Sequence, residues 1–300
     1  MSKQLRRASR RLLLAPVLRG ARGFFSLLPW GLAQRLGVGL GWLTYYVAGR
    51  DRRRSLDHLA IAFPDMTLAG RKRLSRRSYR HVGMSAAELL HLWGRAPEES
   101  LRHVTVEGFE HVEALRRDNR PVLIVTGHCG NWEMISSANL SHGLGLAAMA
   151  RELDEPGAQG IAVALREHLG SETIARGSRG AARQLLRVVR SGGALALLID
   201  QDLKIDGVFV PFFGRLANTP SVAADMALRL GAAAVPTFSE RLEDGSHRVR
   251  FHEPVDLPDD PVEATALLTA RIEEQIRRRP EQWVWFHRRW RHRPPGEVSN

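Results

Sequence analysis

After Pro97, short apolar runs alternate with segments of helical periodicity, and this alternation restricts the fold more than any other feature of the sequence. The apolar runs lie at 104–106, 122–126, 146–149, 194–199 and 235–238, and the helical segments near 109–117, 131–141, 157–169, 179–190 and 221–230. Strands that alternate with helices predict an α/β fold with a central, mostly parallel sheet flanked by helices. Ligands then bind near the carboxyl ends of the strands. A late strand over 248–253 is expected to be antiparallel, at an edge.

The part of the chain before Pro97 is predicted to be helical. From Thr67 to Trp93 the sequence has the pattern of a long amphipathic helix with Thr67 as its N-cap. We predict two regions, a basic and apolar membrane-anchor segment over 1–50 and a single α/β domain over 51–300. Residues 24–48 are apolar but include Pro29 and Arg35, so either one tilted span or two interfacial helices fits them.

The positive charge lies at the two ends of the chain. The formal net charge is +12, yet residues 51–276 hold 28 basic and 30 acidic side chains. Residues 1–50 carry nine Lys or Arg and no acid, and 277–293 carry seven Arg. Both ends interleave these residues with Trp, Phe, Tyr and Leu, a composition typical of segments in a lipid headgroup region. We therefore expect a membrane surface with anionic lipids as a partner, and no nucleic acid.

The segment 121–133 is where the sequence predicts chemistry. A buried strand ends at Thr126, Gly127 allows a close turn, and His128 follows at the place where α/β proteins present catalytic groups. Asn131 is a suitable N-cap, which places Glu133 in the first turn of the next helix. From there its carboxylate can fold back to the imidazole, and a carboxylate on one ring nitrogen makes the other a positioned general base. The alternative is a capping pair with a structural histidine.

Two further expectations concern this turn. An oxyanion needs hydrogen-bond donors, and the backbone amides between Gly127 and Asn131 are candidates for that role. Cys129 is the single cysteine of the chain, so a disulfide framework and a multi-cysteine zinc site are excluded. A small packed residue is a more ordinary role for it than a nucleophile. We expect no metal and no cofactor.

The segment Gly-His-Cys-Gly-Asn-Trp-Glu at 127–133 resembles the His-x4-acid block of the lipid A biosynthesis acyltransferases, and other parts of the chain resemble that family in the same order. These blocks are Ala-Phe-Pro at 62–64, Val-Glu-Gly-Phe-Glu at 106–110, Ile-Asp-Gln-Asp at 199–202, Val-Phe-Val-Pro-Phe-Phe-Gly at 208–214 and Pro-Glu-Gln-Trp-Val-Trp-Phe-His-Arg-Arg at 280–289. Together they span nearly the whole chain. The resemblance implies a fold like that of the glycerolipid acyltransferases.

The resemblance also implies an activity and a set of site residues. It implies transfer of a fatty acyl chain from acyl carrier protein to a hydroxyl of a lipid A precursor, at the cytoplasmic face of the cell inner membrane. The catalytic pair carries over to His128 and Glu133, and substrate-binding positions fall on Arg166 and Asp200, to which we add Asn131 and Arg151.

The sequence departs from the family at Cys129, His58 and Glu152, where an aromatic residue, Asn and Pro are usual. These differences leave the acceptor open, and another glycolipid or a phospholipid is the first alternative. The second alternative is a basic protein without enzymatic activity that binds membranes or nucleic acid.

Overall fold

The computed structural model describes residues 16–150, 163–175, 178, 180–203, 207–294 and 296. Its helices are α1 (16–27), α2 (Trp30–Val47), α3 (Gly49–Ala62), α4 (Leu68–Trp93), α5 (Phe109–Arg117), α6 (Ile135–His142), α7 (163–168), α8 (Ala181–Arg190), α9 (Val222–Leu230) and α10 (Pro261–Arg278). Short 3-10 helices lie at Pro97–His103, Trp132–Met134 and Pro280–Gln282. The strands are β1 (Val104–Glu107), β2 (Val122–Thr126), β3 (Leu146–Ala150), β4 (Glu172–Ala175), β5 (Ala194–Leu198), β6 (Val208–Phe212), β7 (Arg215–Thr219), β8 (Ala233–Arg241) and β9 (His247–Phe251).

In the described part of the chain seven strands form one sheet, in the order β1-β9-β8-β2-β5-β3-β4. Neighbouring strands are parallel except β8 and β9, which are antiparallel. The predicted α/β fold with a mostly parallel sheet is therefore confirmed. The late strand is antiparallel to β8, but the prediction that it lies at an edge is wrong, because β1 pairs with its other side.

The sheet is covered on both faces. All five residues of β2 are buried, and successive side chains of a strand point to opposite faces. Leu123 and Val125 belong to one apolar cluster with α10, whereas Val122 and Ile124 belong to a second cluster with α5. A strand that is apolar throughout its length is typical of a parallel sheet between two layers of helices.

Helix α4 begins as predicted, since the Thr67 hydroxyl accepts a hydrogen bond from the Gly70 amide at 3.2 Å. Helix α4 crosses α2 at a point where glycines on both helices let the two backbones approach closely. A Cβ atom on Gly41 would overlap the carbonyl of Tyr79, and one on Gly37 would overlap the carbonyl of Gly83. Among the described residues, the helices are all too short or too polar to cross a membrane. The predicted boundary at residue 50 stays a prediction.

The α2–α4 crossing gives a test of stability with a matched control on the same helix. Replacing Gly41 by Ala forces the two backbones apart, and such overpacking lowers the free energy of unfolding by about 1–3 kcal/mol. Gly39 has open space at its Cβ position, so Gly39→Ala raises stability by up to about 1 kcal/mol through helix propensity. Urea denaturation of both variants measures the difference. Equal effects of the two substitutions would contradict the close crossing.

Candidate active site

The site is built where two neighbouring parallel strands end. β2 pairs with β5 in a register that sets Thr126 opposite Leu198, so the residues that follow the two strands meet at one edge of the sheet. There the Asp200 carboxylate accepts two hydrogen bonds from His128, one from the backbone amide at 2.7 Å and one from the ring nitrogen Nδ1 at 2.7 Å. The two residues are therefore held in a fixed relative orientation.

Gly127 allows the Asp200 carboxylate to lie close to the backbone of the turn that carries His128. A Cβ atom at Gly127 would lie 2.9 Å from Ile272 Cγ2 and 3.1 Å from the Asp200 carboxylate. A larger residue would push the carboxylate away from His128.

Asp200 is a buried carboxylate that stays ionised. Its side chain is fully buried, and Trp283 Nε1 donates a third hydrogen bond to it at 2.8 Å. Burial raises the pKa of Asp200, but protonated His128 and the hydrogen bonds from His128 and Trp283 outweigh it and hold that pKa well below its usual value. An ionised carboxylate only accepts hydrogen bonds, so His128 Nδ1 carries a proton, and in the neutral ring Nε2 is the nitrogen with the lone pair.

The carboxylate on the His128 ring was expected to be that of Glu133, and in the structure it is that of Asp200. Glu133 lies in the 3-10 turn Trp132–Met134, where it forms an ion pair with Arg166. Arg166 Nε lies 3.1 and 3.2 Å from the two carboxylate oxygens, and its NH2 nitrogen lies 3.0 Å from one of them. Glu133 also accepts a hydrogen bond from Trp132 Nε1 at 3.2 Å. The guanidinium, a cation with several donors, satisfies a carboxylate that is nearly buried.

Asn131 lies at the N-cap position of the 3-10 turn and Glu133 in its first turn, as predicted, but the Asn131 side chain makes no capping hydrogen bond. Its amide nitrogen donates to Glu88 Oε2 at 2.9 Å, a hydrogen bond that the charge of the buried carboxylate strengthens. This hydrogen bond joins the turn after β2 (residues 127–131) to α4, and Asn131, which is 1% exposed, presents almost no surface to a ligand. Arg151, the remaining expected substrate-binding residue, lies outside the described residues.

Glu88 is the centre of a buried polar cluster that the sequence did not indicate. Arg241 NH2 lies 2.7 Å from its carboxylate, His247 Nε2 lies 3.1 Å away, and Gln34 donates to it at 2.7 Å. Burial raises the pKa of Glu88, but the charges of Arg241 and His247 outweigh that effect and lower it well below the usual value. The cluster ties helix α2 to α4, to strands β8 and β9 and, through Asn131, to the turn after β2.

Three of the five backbone amides between Gly127 and Asn131 donate to acceptors in the protein, so the predicted oxyanion hole stays a prediction and can use only the amides of Gly127 and Asn131. His128 N donates to Asp200, Cys129 N to the Gly127 carbonyl, and Gly130 N to the Gln282 carbonyl at 2.8 Å. Gly130 has φ of +59°, and a Cβ atom there would overlap the carbonyl of Ser239. Cys129 is buried, and burial raises the pKa of its thiol well above the usual value, which disfavours it as a nucleophile.

The C-terminal segment completes the site. Trp283 and Trp285 are fully buried, and Trp283 forms a β-bridge with Cys129. His287 lies with its ring perpendicular to that of His128, at 4.8 Å between centroids. Arg289 is one of the seven Arg at 277–293 that were expected in a lipid headgroup region, but it is buried and donates to the Asn218 carbonyl and the Thr219 hydroxyl.

Gln201 bridges the rings of His128 and His287. Gln201, Trp283 and His287 all lie in the blocks that resemble the lipid A biosynthesis acyltransferases, but no local pattern indicated that they meet at His128. Within the described residues, no group of three or more His, Cys, Asp and Glu side chains is arranged to bind a metal ion.

Comparisons with known proteins agree on one family. The profile of the family described as "Bacterial lipid A biosynthesis acyltransferase" matches residues 17–292. A lipid A biosynthesis acyltransferase of Haemophilus influenzae is 25% identical, over 91% of this chain and 87% of its own. The lipid A biosynthesis lauroyltransferase of Escherichia coli is 26% identical, over 91% and 89%. A phosphatidylinositol mannoside acyltransferase of Mycobacterium tuberculosis is 25% identical, over 62% and 59%. The chain therefore belongs to the bacterial lipid A biosynthesis acyltransferase family.

Proposed function

We propose that this protein transfers a fatty acyl chain from acyl carrier protein to a hydroxyl of a lipid A precursor, with His128 as the general base. The observation that carries the proposal is the His128–Asp200 pair, in which Asp200 holds Nδ1 at 2.7 Å and leaves the lone pair of Nε2 for a substrate proton. Membership of the family supports the acyl group and the lipid A acceptor.

The reaction uses this pair in two steps. The acceptor hydroxyl gives its proton to His128 Nε2 as its oxygen bonds to the thioester carbonyl carbon. The C–S bond then breaks, and the thiolate of the carrier takes the proton from the imidazolium. Asp200 stays ionised, orients the ring and stabilises the imidazolium, which is the task of the carboxylate in hydrolase triads. Glu133, predicted for that task, is proposed here to hold Arg166 in place beside the site.

Acyl transfer from a mixed pool of acyl carrier protein thioesters to a lipid A precursor, read by mass spectrometry, tests the function. We expect the wild type to add one acyl mass and His128→Ala to be slower by about 10²–10⁴-fold, because a positioned base contributes that factor. His111→Ala, on α5 and outside the His128–Asp200 cluster, is the matched control and should retain activity. Equal transfer by wild type and His128→Ala would contradict the mechanism.

A second acceptor class deserves its own assay because a relative from Mycobacterium tuberculosis is named a phosphatidylinositol mannoside acyltransferase. If the lipid A precursor receives no acyl chain, a panel of other glycolipids and phospholipids is the next set of acceptors. Activity with one of them, lost in His128→Ala, identifies the alternative acceptor. A basic binding protein without enzymatic activity would instead bind anionic vesicles or nucleic acid, with no dependence on His128.

The tautomer of His128 shows which of the two carboxylates, Asp200 or Glu133, orients the imidazole ring. Asp200 Oδ2 accepts hydrogen bonds from two donors, the His128 amide and Trp283 Nε1. In Asp200→Asn, the side-chain carbonyl oxygen should take the position of Oδ2, because an NH2 group cannot accept from these donors. The new NH2 group then faces His128 Nδ1, which must accept, and the proton moves to Nε2. ¹⁵N NMR of the imidazole should show this change in Asp200→Asn and not in Glu133→Gln. The opposite result would assign the orienting role to Glu133.

We further propose that the protein works at the cytoplasmic face of the inner membrane, held there by α2 and α4. One face of α2 is a row of exposed apolar side chains at helical spacing: Leu32, Leu36, Leu40, Leu43 and Val47. Beside it, a groove of about 600 Å³ is lined by Trp42, Lys72, Arg73, Arg76, Arg77 and Arg80, and the sequence has no acid between Asp65 and Glu88. Apolar side chains beside a row of cations match an anionic lipid surface.

Binding to vesicles tests this surface. With vesicles of phosphatidylcholine and phosphatidylglycerol, Leu40→Glu/Leu43→Glu should lower partitioning at least about tenfold, because two leucines lose their apolar contact. The matched control is Leu186→Glu on α8, where the leucine is similarly exposed, at 41%. Arg73→Glu/Arg76→Glu should weaken binding to these vesicles but not to pure phosphatidylcholine. Unchanged binding by both double variants would exclude this surface.

A further inference from the structure

The turn after β2 has two separate anchors, one on each side of Gly130. On the first side, the Asp200 carboxylate accepts hydrogen bonds from the amide and the ring of His128. On the second side, Asn131 Nδ2 donates to Glu88 Oε2 at 2.9 Å. Between them, Gly130 has a φ of +59°, and its amide donates to a carbonyl of the C-terminal segment at 2.8 Å. Because Gly130 is itself held, loss of one anchor leaves the other in place.

Asn131 begins the 3-10 turn that carries two further residues of the site. The ring of Trp132 lies 4.7 Å from the ring of His128, roughly edge to face. Trp132 Nε1 donates to Glu133, and Glu133 also forms the ion pair with Arg166 at 3.0 Å. These side chains form one linked unit, and its position depends on the residue at which the turn begins.

The anchor at Asn131 depends on the charge of Glu88. Glu88 is fully buried, and Arg241 and His247 keep it ionised by lowering its pKa. A hydrogen bond to an ionised acceptor is stronger than one between neutral groups. Within the part of the chain that the structure describes, this is the one hydrogen bond of the Asn131 side chain. Asn131 is 1% exposed, so water has little room to replace the contact.

We propose that Asn131 is a positioning residue, which through its hydrogen bond with Glu88 sets the place of the Glu133–Arg166 pair, whereas Asp200 sets the ring of His128. The proposal rests on the proposed function. The Arg166 side chain is 21% exposed and can contact a substrate, which the buried Asn131 cannot. The two anchors therefore have different kinetic effects. Loss of the Asp200 contact lowers kcat, and loss of the Glu88 contact raises the KM for the acceptor.

Asn131→Leu tests this division, because leucine has a similar size but cannot donate a hydrogen bond. In acyl-transfer assays with varied acceptor, the KM for the acceptor should rise at least about fivefold and kcat should stay within about twofold. ¹⁵N NMR of the His128 imidazole should show the tautomer of the wild type. A lower kcat with unchanged KM, or a changed tautomer, would overturn the proposal.

Asn131→Asp makes the same anchor depend on pH. Burial and the charge of Glu88 raise the pKa of the new carboxyl above its usual value. The protonated carboxyl donates to Glu88 as the amide does, whereas the ionised form repels it. Because the pKa is raised, the contact is present at lower pH and is lost as the pH rises through that pKa.

The measured quantity is the ratio of the KM of Asn131→Asp to the KM of the wild type, which removes the titration of His128 from the comparison. This ratio should be near one at about pH 6 and rise at least about fivefold by about pH 9. Partial unfolding of the variant would lower the active fraction, and hence kcat, without changing KM. A ratio that is independent of pH would refute the charged anchor.

The route through Arg166 is tested by a double-mutant cycle. If Asn131 acts by placing Arg166, then in an Arg166→Ala background Asn131→Leu should change KM less than about twofold, against at least about fivefold in the wild type. Independent effects of the two substitutions, each multiplying KM by its full factor, would exclude this route.

Hydrogen exchange of the free protein tests the anchor without acyl transfer. The Met134 amide donates to the Asn131 carbonyl at 3.0 Å, so its exchange reports on the 3-10 turn. Asn131→Leu should speed exchange at Met134 at least about fivefold and leave β2 unchanged. Equal exchange at Met134 in both proteins would overturn the proposal. If the wild type transfers no acyl chain, the proposed function fails, whereas the exchange still reports on the anchor.

Discussion

The ionised carboxylate of Asp200 is the interaction on which the rest of the site depends. It is fully buried, and a buried carboxylate is tolerated only when donors surround it. Its donors come from two distant parts of the chain, the turn after β2 and the C-terminal Trp283. The same carboxylate thus fixes the tautomer of His128 and holds the C-terminal segment against the sheet, so the fold and the chemistry share one constraint.

This constraint explains the residues around it. Gly127 keeps the backbone close enough for His128 to reach Asp200, and Gly130 lets the turn pass the Ser239 carbonyl. Behind the turn, Asn131 is held by Glu88, whose own charge is balanced by Arg241. The turn is therefore fixed on one side by the carboxylate at His128 and on the other by a buried ion pair. In the proposed reaction, such fixing reduces the reorganisation that catalysis requires.

Much of the fold was predictable from local patterns, whereas the pairing at the site was not. Strand β2 and helix α4 have strong periodicity and an evident cap, but the short strand β4 and the β6–β7 hairpin containing Pro211 lack such signals. His128 was found because it follows a buried strand and a glycine. Its partner Asp200 is 72 residues away in sequence. Their contact depends on β5 lying between β2 and β3, and strand order is not encoded in local spacing.

Long-range contacts also decide which of the two carboxylates near His128 contacts its ring. Spacing alone favoured Glu133, five residues away, but a nearly buried carboxylate needs a cation, and Arg166 supplies it. The positive charge of the adjacent Arg166 guanidinium offsets the electric field of the Glu133 carboxylate. The pair therefore stabilises an imidazolium at His128 only weakly. Among the described residues, Asp200 has no Lys or Arg within hydrogen-bonding distance, and its hydrogen bonds come from Trp283 and from the amide and ring of His128. Of the two carboxylates, Asp200 therefore responds more strongly when His128 gains a proton.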